Sequence, residues 1–158
     1  IIPDVMAIAK GLGGGFPIGA VVATNEAAAG MSAGTHGSTF GGNFLASSVA
    51  KSVISQVIEN GFLDNVTKMG NKLMKEIEIL SQDYPSIIKG VRGKGLMIGI
   101  ICNVSNVELC TNLRDQGLLS VPAGNNVLRF LPPLNIEYEH VDRCIEILKQ
   151  TLDHIMVK

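Results

Sequence analysis

The most constraining stretch of the chain is its first fifteen residues, IIPDVMAIAKGLGGG. The apolar run Val5 to Ala9 ends in one cation, Lys10, and four glycines follow within five residues: Gly11, Gly13, Gly14 and Gly15. Such a run reads as a buried strand, and the glycines as a turn directly after it. The strand therefore delivers a lone amine into a turn poor in side chains. An amine in low dielectric loses part of its preference for the charged form, and only the neutral form attacks a carbonyl carbon. Glycines let backbone N–H groups approach a bulky or anionic ligand without an obstructing Cβ. The same pattern also describes an ordinary strand end, with a solvated lysine and then a turn.

Downstream, Ile18 to Thr24 reads as a second apolar strand, with Pro17 just before it. Asn25 and Glu26 can start a short helix that runs through the alanines to Gly30. Met31 to Asn43 has no period and is rich in Gly, Ser and Thr. A loop of that length favours function over mere connection. Phe44 to Glu59 reads as a helix, with Leu45, Val49, Val53 and Val57 stepping by fours until Asn60-Gly61 closes it. A second helix follows through Phe62, Val66, Met69, Leu73, Ile77 and Leu80, and Pro85 stops it. Ile87 to Arg92 and Leu96 to Cys102 are apolar runs split at Gly93-Lys94-Gly95, a strand pair or one bent strand. A helix around Val107, Cys110 and Leu113 ends at Gly117. Leu118 to Val121 and Val127 to Phe130 are again strand-like, joined by Pro122 to Asn126. The last helix carries Val141, Ile145, Leu148, Leu152 and Ile155 on one face. The domain change falls near Gly61, giving domains 1–61 and 62–158, the second a compact α+β unit.

Three cysteines, Cys102, Cys110 and Cys144, form no CxxC pair. They suit buried thiols in a reducing cytoplasm better than disulfides or zinc. The formal charge of −1 argues against nucleic acid or an anionic membrane as partner. No apolar stretch reaches transmembrane length. Ile1 is not a start methionine and no charged leader precedes it, so the expectation is a piece of a longer chain, not a processed secretory protein.

Several motifs fail on spacing. GLGGGF puts Phe16 or Ile18 where a dinucleotide fingerprint needs its third glycine. Gly93-Lys94 is followed by Gly95, not the Ser or Thr of a nucleotide-binding loop. His36, His140 and His154 lack metal-ligand spacing, so no metal is expected. Three sites remain. One is Lys10 with its glycines. The second is the loop Gly34 to Asn43, where Thr35, Ser38 and Thr39 offer hydroxyls among glycines. Such groups can hold a phosphate or carboxylate, although a plain polar loop looks the same. The third is Arg129, a lone guanidinium in an apolar strand. Its planar fork matches a carboxylate, although Glu137 or Glu139 could equally supply a salt bridge.

PDVMAIAKGLGGGFPIGA, GTHGSTFGGN, VRGKGLMIGI and NVLRFLPPL, in that order, resemble the second half of a class III, pyridoxal-phosphate-dependent aminotransferase. The resemblance covers essentially the whole chain. It implies the C-terminal part of the α/β fold type I: the end of the large cofactor-binding domain (1–61) and the small α+β domain (62–158). It implies that Lys10 holds pyridoxal phosphate covalently and moves the proton, and that Thr39 binds the cofactor phosphate across a homodimer interface. Ser38 is then a substrate contact, and Arg129 grips the α-carboxylate of the amino or keto acid. The segment GLLSVPAGNNVLRFLPPLNI most resembles members that transfer the terminal amine of N-acetylornithine to 2-oxoglutarate in arginine biosynthesis. Ornithine, 4-aminobutyrate and succinyldiaminopimelate are the alternative donors. A family member has about as much chain again before the position of Ile1, with the acid facing the pyridine nitrogen, the stacking aromatic, the main phosphate cup and a further arginine. Neither Asp4 nor Phe40 replaces these groups, so these 158 residues alone are expected to be inactive. A non-catalytic interaction module that keeps the fold is the rival reading; it would have no use for Lys10 or Thr39.

Overall fold

The computed structural model describes residues 1–157. They form two compact units, Ile1–Asn60 and Gly61 onward.

In the first unit, β1 (Val5–Ala9) and β2 (Gly19–Ala23) pair antiparallel, from Val5 opposite Ala23 to Ala9 opposite Gly19. Between them lies a short 3-10 helix, Lys10–Gly13. Thr24 caps α1 (Asn25–Ala28), its hydroxyl accepting from the Ala27 N–H at 3.2 Å. Asn43 caps α2 (Phe44–Val57), accepting from the Ala46 N–H at 2.9 Å. Each cap satisfies a helix-terminal donor that has no partner within its helix. One expectation is corrected here. Both strands read as buried, yet β2 is exposed throughout, with Val21 at 68%, and in β1 only Ile8 is half-buried. A two-stranded ribbon has two apolar faces, and α2 packs on the 3-10 helix between the strands instead of across them. The α2 stripe differs too. Ala46 and Ala50 are buried, whereas Leu45 stays 64% exposed.

The second unit runs α3 (Phe62–Asp83), β3 (Ile88–Lys94), β4 (Met97–Cys102), α4 (Asn106–Asp115), β5 (Val121–Ala123), β6 (Val127–Phe130) and α5 (Tyr138–Met156). Its four strands form an antiparallel sheet in the order β3-β4-β6-β5. Alternation along each strand sends Ile98, Ile100, Leu128 and Phe130 to one face. There they meet Met69, Leu73 and Ile77 of α3, Leu109 and Leu113 of α4, and Val141, Leu148 and Leu152 of α5 in one core. All three helices therefore cover the same face. Pro122 lies inside β5, not in the connection where the sequence reading put it. The reason is position: β5 is an edge strand, so a residue without an N–H removes no ladder bond that the sheet needs.

Two contacts set the spacing of this core. A Cβ on Gly70 would sit 2.4 Å from the Gly95 carbonyl oxygen, so α3 lies directly against the β3–β4 turn. A buried amide, Asn106, donates to the Ala123 and Val127 carbonyls at 3.0 and 2.8 Å. Asn126 donates to the Cys102 and Val104 carbonyls, both at 2.8 Å, and accepts from the Asn106 N–H at 3.0 Å. These two side chains tie the β5–β6 turn to the start of α4.

Gly70→Ala should destabilise the second unit by about 1–3 kcal/mol through overpacking, read as a lower denaturant midpoint. The Tyr84 hydroxyl donates to Asp153 at 2.5 Å, and that bond, with burial second, pushes the phenol up to about 12. The neutral phenol is favoured in the folded state, so its contribution is complete below pH 10 and fades as pH rises from about 10 to about 12. Tyr84→Phe should remove that alkaline slope, as measured by thermal unfolding across the interval.

Candidate functional site

Lys10 follows β1 directly and opens the 3-10 helix, with φ at +55°. A non-glycine residue there is uncommon and costs on the order of 1–3 kcal/mol, a strain that concentrates at functional positions. The lysine is exposed, so the low-dielectric setting expected for its amine is not built by this chain. Among the described residues its amine makes no ion pair and no hydrogen bond. It is an unpartnered amine presented by a strained turn.

The glycines after it divide by purpose. A Cβ on Gly13 would meet Ile18 Cγ2 at 2.8 Å, and one on Gly14, at φ +54°, would meet Val53 Cγ2 at 3.1 Å. These two serve packing and turn geometry. Gly11 and Gly15 face open space and leave room for a bulky group beside the amine.

The loop hydroxyls divide likewise. Thr35 spends its hydroxyl inside the loop, donating to the Ser32 carbonyl at 2.7 Å and accepting from the Ser32 N–H at 3.0 Å. Ser38 and Thr39 are exposed, and their hydroxyls have no protein partner among the described residues. Ser38 lines a polar cleft of about 200 Å³ with Gly19, Gly41, Asn43 and Ser47. Thr39 sits in the turn beside it, Phe40 is 79% exposed, and neither Lys10 nor Thr39 lines the cleft.

Arg129 belongs to the second unit and is described there alone. It is half-buried in β6, on the sheet face away from the core. Neither acid proposed as its mundane partner reaches it. Glu137 caps α5, and Glu139 forms no ion pair among the described residues. Its Nε is buried without an acceptor, a donor that needs an anion or water. The face around it is a shallow cavity of about 500 Å³ lined also by Arg92, Lys94, Met97, Gly99 and Asn125. The sequence reading missed Arg92 and Lys94, taking them as strand end and turn. The usable signal was the alternation Arg92-x-Lys94 beside Val127-x-Arg129, which places all of them on one face once the strands pair.

Two of the cysteines, Cys102 and Cys144, are poor nucleophiles. Burial pushes the Cys144 thiol up to about 11 and raises Cys102 as well. Among the described residues no group of three or more His, Cys, Asp or Glu could hold a metal, and no helix is long and apolar enough to cross a membrane.

Asn43 does two jobs, capping α2 and donating to the Phe40 carbonyl at 2.8 Å. Asn43→Ala should cost about 1 kcal/mol and loosen the turn that carries Thr39, seen as faster hydrogen exchange at the Ala46 amide.

Comparison with known proteins gives concordant results. The chain matches the family Aminotransferase class-III over residues 1–152. It is 49% identical over 149 residues to an acetylornithine aminotransferase of Mesorhizobium japonicum, covering 94% of this chain and 37% of that protein. It is 43% identical over 157 residues to one of Brucella melitensis, covering 99% and 39%. Among solved structures, the acetylornithine aminotransferase of Elizabethkingia anophelis superposes with a TM-score of 0.89 at 36% identity, over 98% of this chain and 40% of that one. The ornithine delta-aminotransferase of Plasmodium falciparum gives 0.90 at 30%, with the same coverages. The chain thus spans less than half the length of these relatives.

Proposed function

The chain belongs to the class-III aminotransferase family, and from that premise we propose that it is the part of a pyridoxal-phosphate-dependent aminotransferase that supplies the cofactor lysine. The observation that carries the reading is Lys10: a strained, unpaired amine at a strand end with side-chain-free space at Gly11 and Gly15. The residues present fit the cofactor's chemistry. Lys10 Nζ would hold it, and the free Thr39 hydroxyl, in a glycine-rich turn, suits its phosphate. Bound pyridoxal phosphate supplies the electron sink that makes a carbon bearing an amine acidic.

The residues of this chain do the rest. With the cofactor in place, Lys10 Nζ would accept the proton from that carbon and return it. Held beside the reacting atom, it gains from proximity as well as basicity. Arg129 orients the acid through its carboxylate, and Ser38 contacts the substrate. We assign residues 1–61 to the end of the cofactor-binding domain and 62–158 to the small domain. Thr39 serves the site of a twin subunit in a homodimer. The three free cysteines suit a cytoplasmic enzyme.

For the substrate, the names of relatives 43–49% identical favour N-acetylornithine as donor, and the family resemblance implies 2-oxoglutarate as acceptor. The products are then N-acetylglutamate 5-semialdehyde and glutamate, in arginine biosynthesis. Ornithine is the second reading, favoured by the 0.90 superposition on an ornithine aminotransferase.

The test is Lys10→Ala in the full-length protein. Borohydride reduction of the wild type should fix a pyridoxyl group on the peptide containing Lys10; the variant should take up no such label and lose at least about a hundredfold in turnover. A variant that keeps both its label and its rate refutes the proposal. An interaction module would instead keep its partner binding with alanine at this position.

A further inference from the structure

Something must hold Lys10 in a backbone that a side chain disfavours. A strained φ of this kind persists only where the surroundings over-determine it. The ladder between β1 and β2 ends at Ala9 opposite Gly19, so Lys10 lies one residue beyond the last pair. Its own side chain is exposed and anchors nothing. The turn that follows ends in two hydrogen bonds, from the Gly14 N–H to the Gly11 carbonyl at 3.2 Å and from the Phe16 N–H to the Gly13 carbonyl at 2.9 Å.

Packing supplies the rest, from two residues. Ile18 belongs to the same hairpin, and its Cγ2 would lie 2.8 Å from a Cβ built on Gly13. Val53 belongs to α2, and its Cγ2 would lie 3.1 Å from a Cβ on Gly14, the closest approach to these glycines from outside the hairpin. The helix is shaped for that approach. Ala46, Ala50 and Val53 recur at i, i+4 and i+7 and so share one face. The two alanines are buried and Val53 is half-buried, while Leu45 of the same helix is exposed. Side chains of one carbon let the helix lie close, and Ala46 meets Pro17, Ile18 and Gly19 around the polar cleft. Val53 is the branched residue on this face, and it bears on Gly14. Rotating Lys10 toward negative φ would swing the chain after it, and that chain is wedged between Ile18 and Val53.

We propose that Val53 is a positioning residue for the Lys10 amine: by bearing on Gly14 it keeps position 10 in the left-handed backbone, which rests on the aminotransferase reading for what that amine does but not for how it is held. Val53 acts through the turn, not on the reacting atoms.

The test is hydrogen exchange on the full-length protein stripped of cofactor, read at the Gly14 and Phe16 amides. Val53→Ala should speed exchange there at least about tenfold and change the amides of α2 by less than about twofold, because alanine is a good helix former. Val53→Ile, which keeps the branched Cβ, should exchange like the wild type. In a Lys10→Gly background the left-handed backbone is unstrained, so Val53→Ala should retain less than about a third of its effect. Unchanged exchange in Val53→Ala overturns the proposal, and so does an equal acceleration with lysine or glycine at position 10, which marks plain packing. In the cofactor-loaded enzyme, Val53→Ala should lower kcat at least about fivefold with KM for the amino donor within about twofold, and Val53→Ile should restore kcat. A wild type that forms no borohydride-fixed adduct at Lys10, yet shows the exchange effect and its dependence on residue 10, would sink the aminotransferase reading and leave the role of Val53 standing.

Discussion

The sheet of the second unit buries only one of its faces, and much of what this unit does follows from that. Three helices converge on Ile98, Ile100, Leu128 and Phe130. Burying such side chains is worth about 1.5–3 kcal/mol each, so the covered face holds the unit together. The opposite face is then free of packing duty. It can carry charge, and it carries Arg92, Lys94 and Arg129. Because the side chains of a strand alternate, Leu128 in the core and Arg129 outside it are not separable choices. A one-residue slip of β6 would send the guanidinium into the core and a leucine to the uncovered face.

Register is therefore the quantity this unit must protect, and it is protected by polar contacts rather than apolar ones. Asn106 and Asn126 between them satisfy four carbonyls and one backbone N–H around the β5–β6 turn. An apolar substitute would fill the space without specifying which carbonyl faces it. Asn126 and its neighbour Asn125 also have positive φ, which asparagine tolerates better than most residues. The same side chain thus shapes the turn and anchors it, four residues or fewer from Arg129. Gly70 against Gly95 plays the matching part at the other edge, fixing how close α3 comes to the β3–β4 turn.

Element order was legible because the patterns were long. The α3 and α5 stripes and the break at Gly93 to Gly95 have local causes, whereas the caps Thr24 and Asn43 read as a strand end and a loop end. Position in the sheet was not legible. Pro122 reads as a loop residue until β5 is known to be an edge. Burial of β1 and β2 was misjudged because apolar composition says what a strand prefers to contact, not what this chain offers it. Lys10 and Arg129 stood out as chemistry in an unexpected setting, whereas Ser38 and Thr39, in a loop that could equally be plain polar surface, were singled out by the family resemblance. Arg92 did not stand out, since no periodicity within one strand reveals that it shares a face with Arg129 two strands away. The left-handed backbone of Lys10 was equally hidden, for the glycines around it seemed able to absorb the turn.

That left-handed backbone sets up a conflict between durability and chemistry. The conformation at position 10 is one that glycine adopts without strain. A directed-evolution campaign scored only on heat resistance would thus be drawn toward deleting the amine, and under the proposed function its survivors would be sturdier and inert. Anyone hardening this scaffold for use as a biocatalyst must hold that site fixed and seek the gain elsewhere.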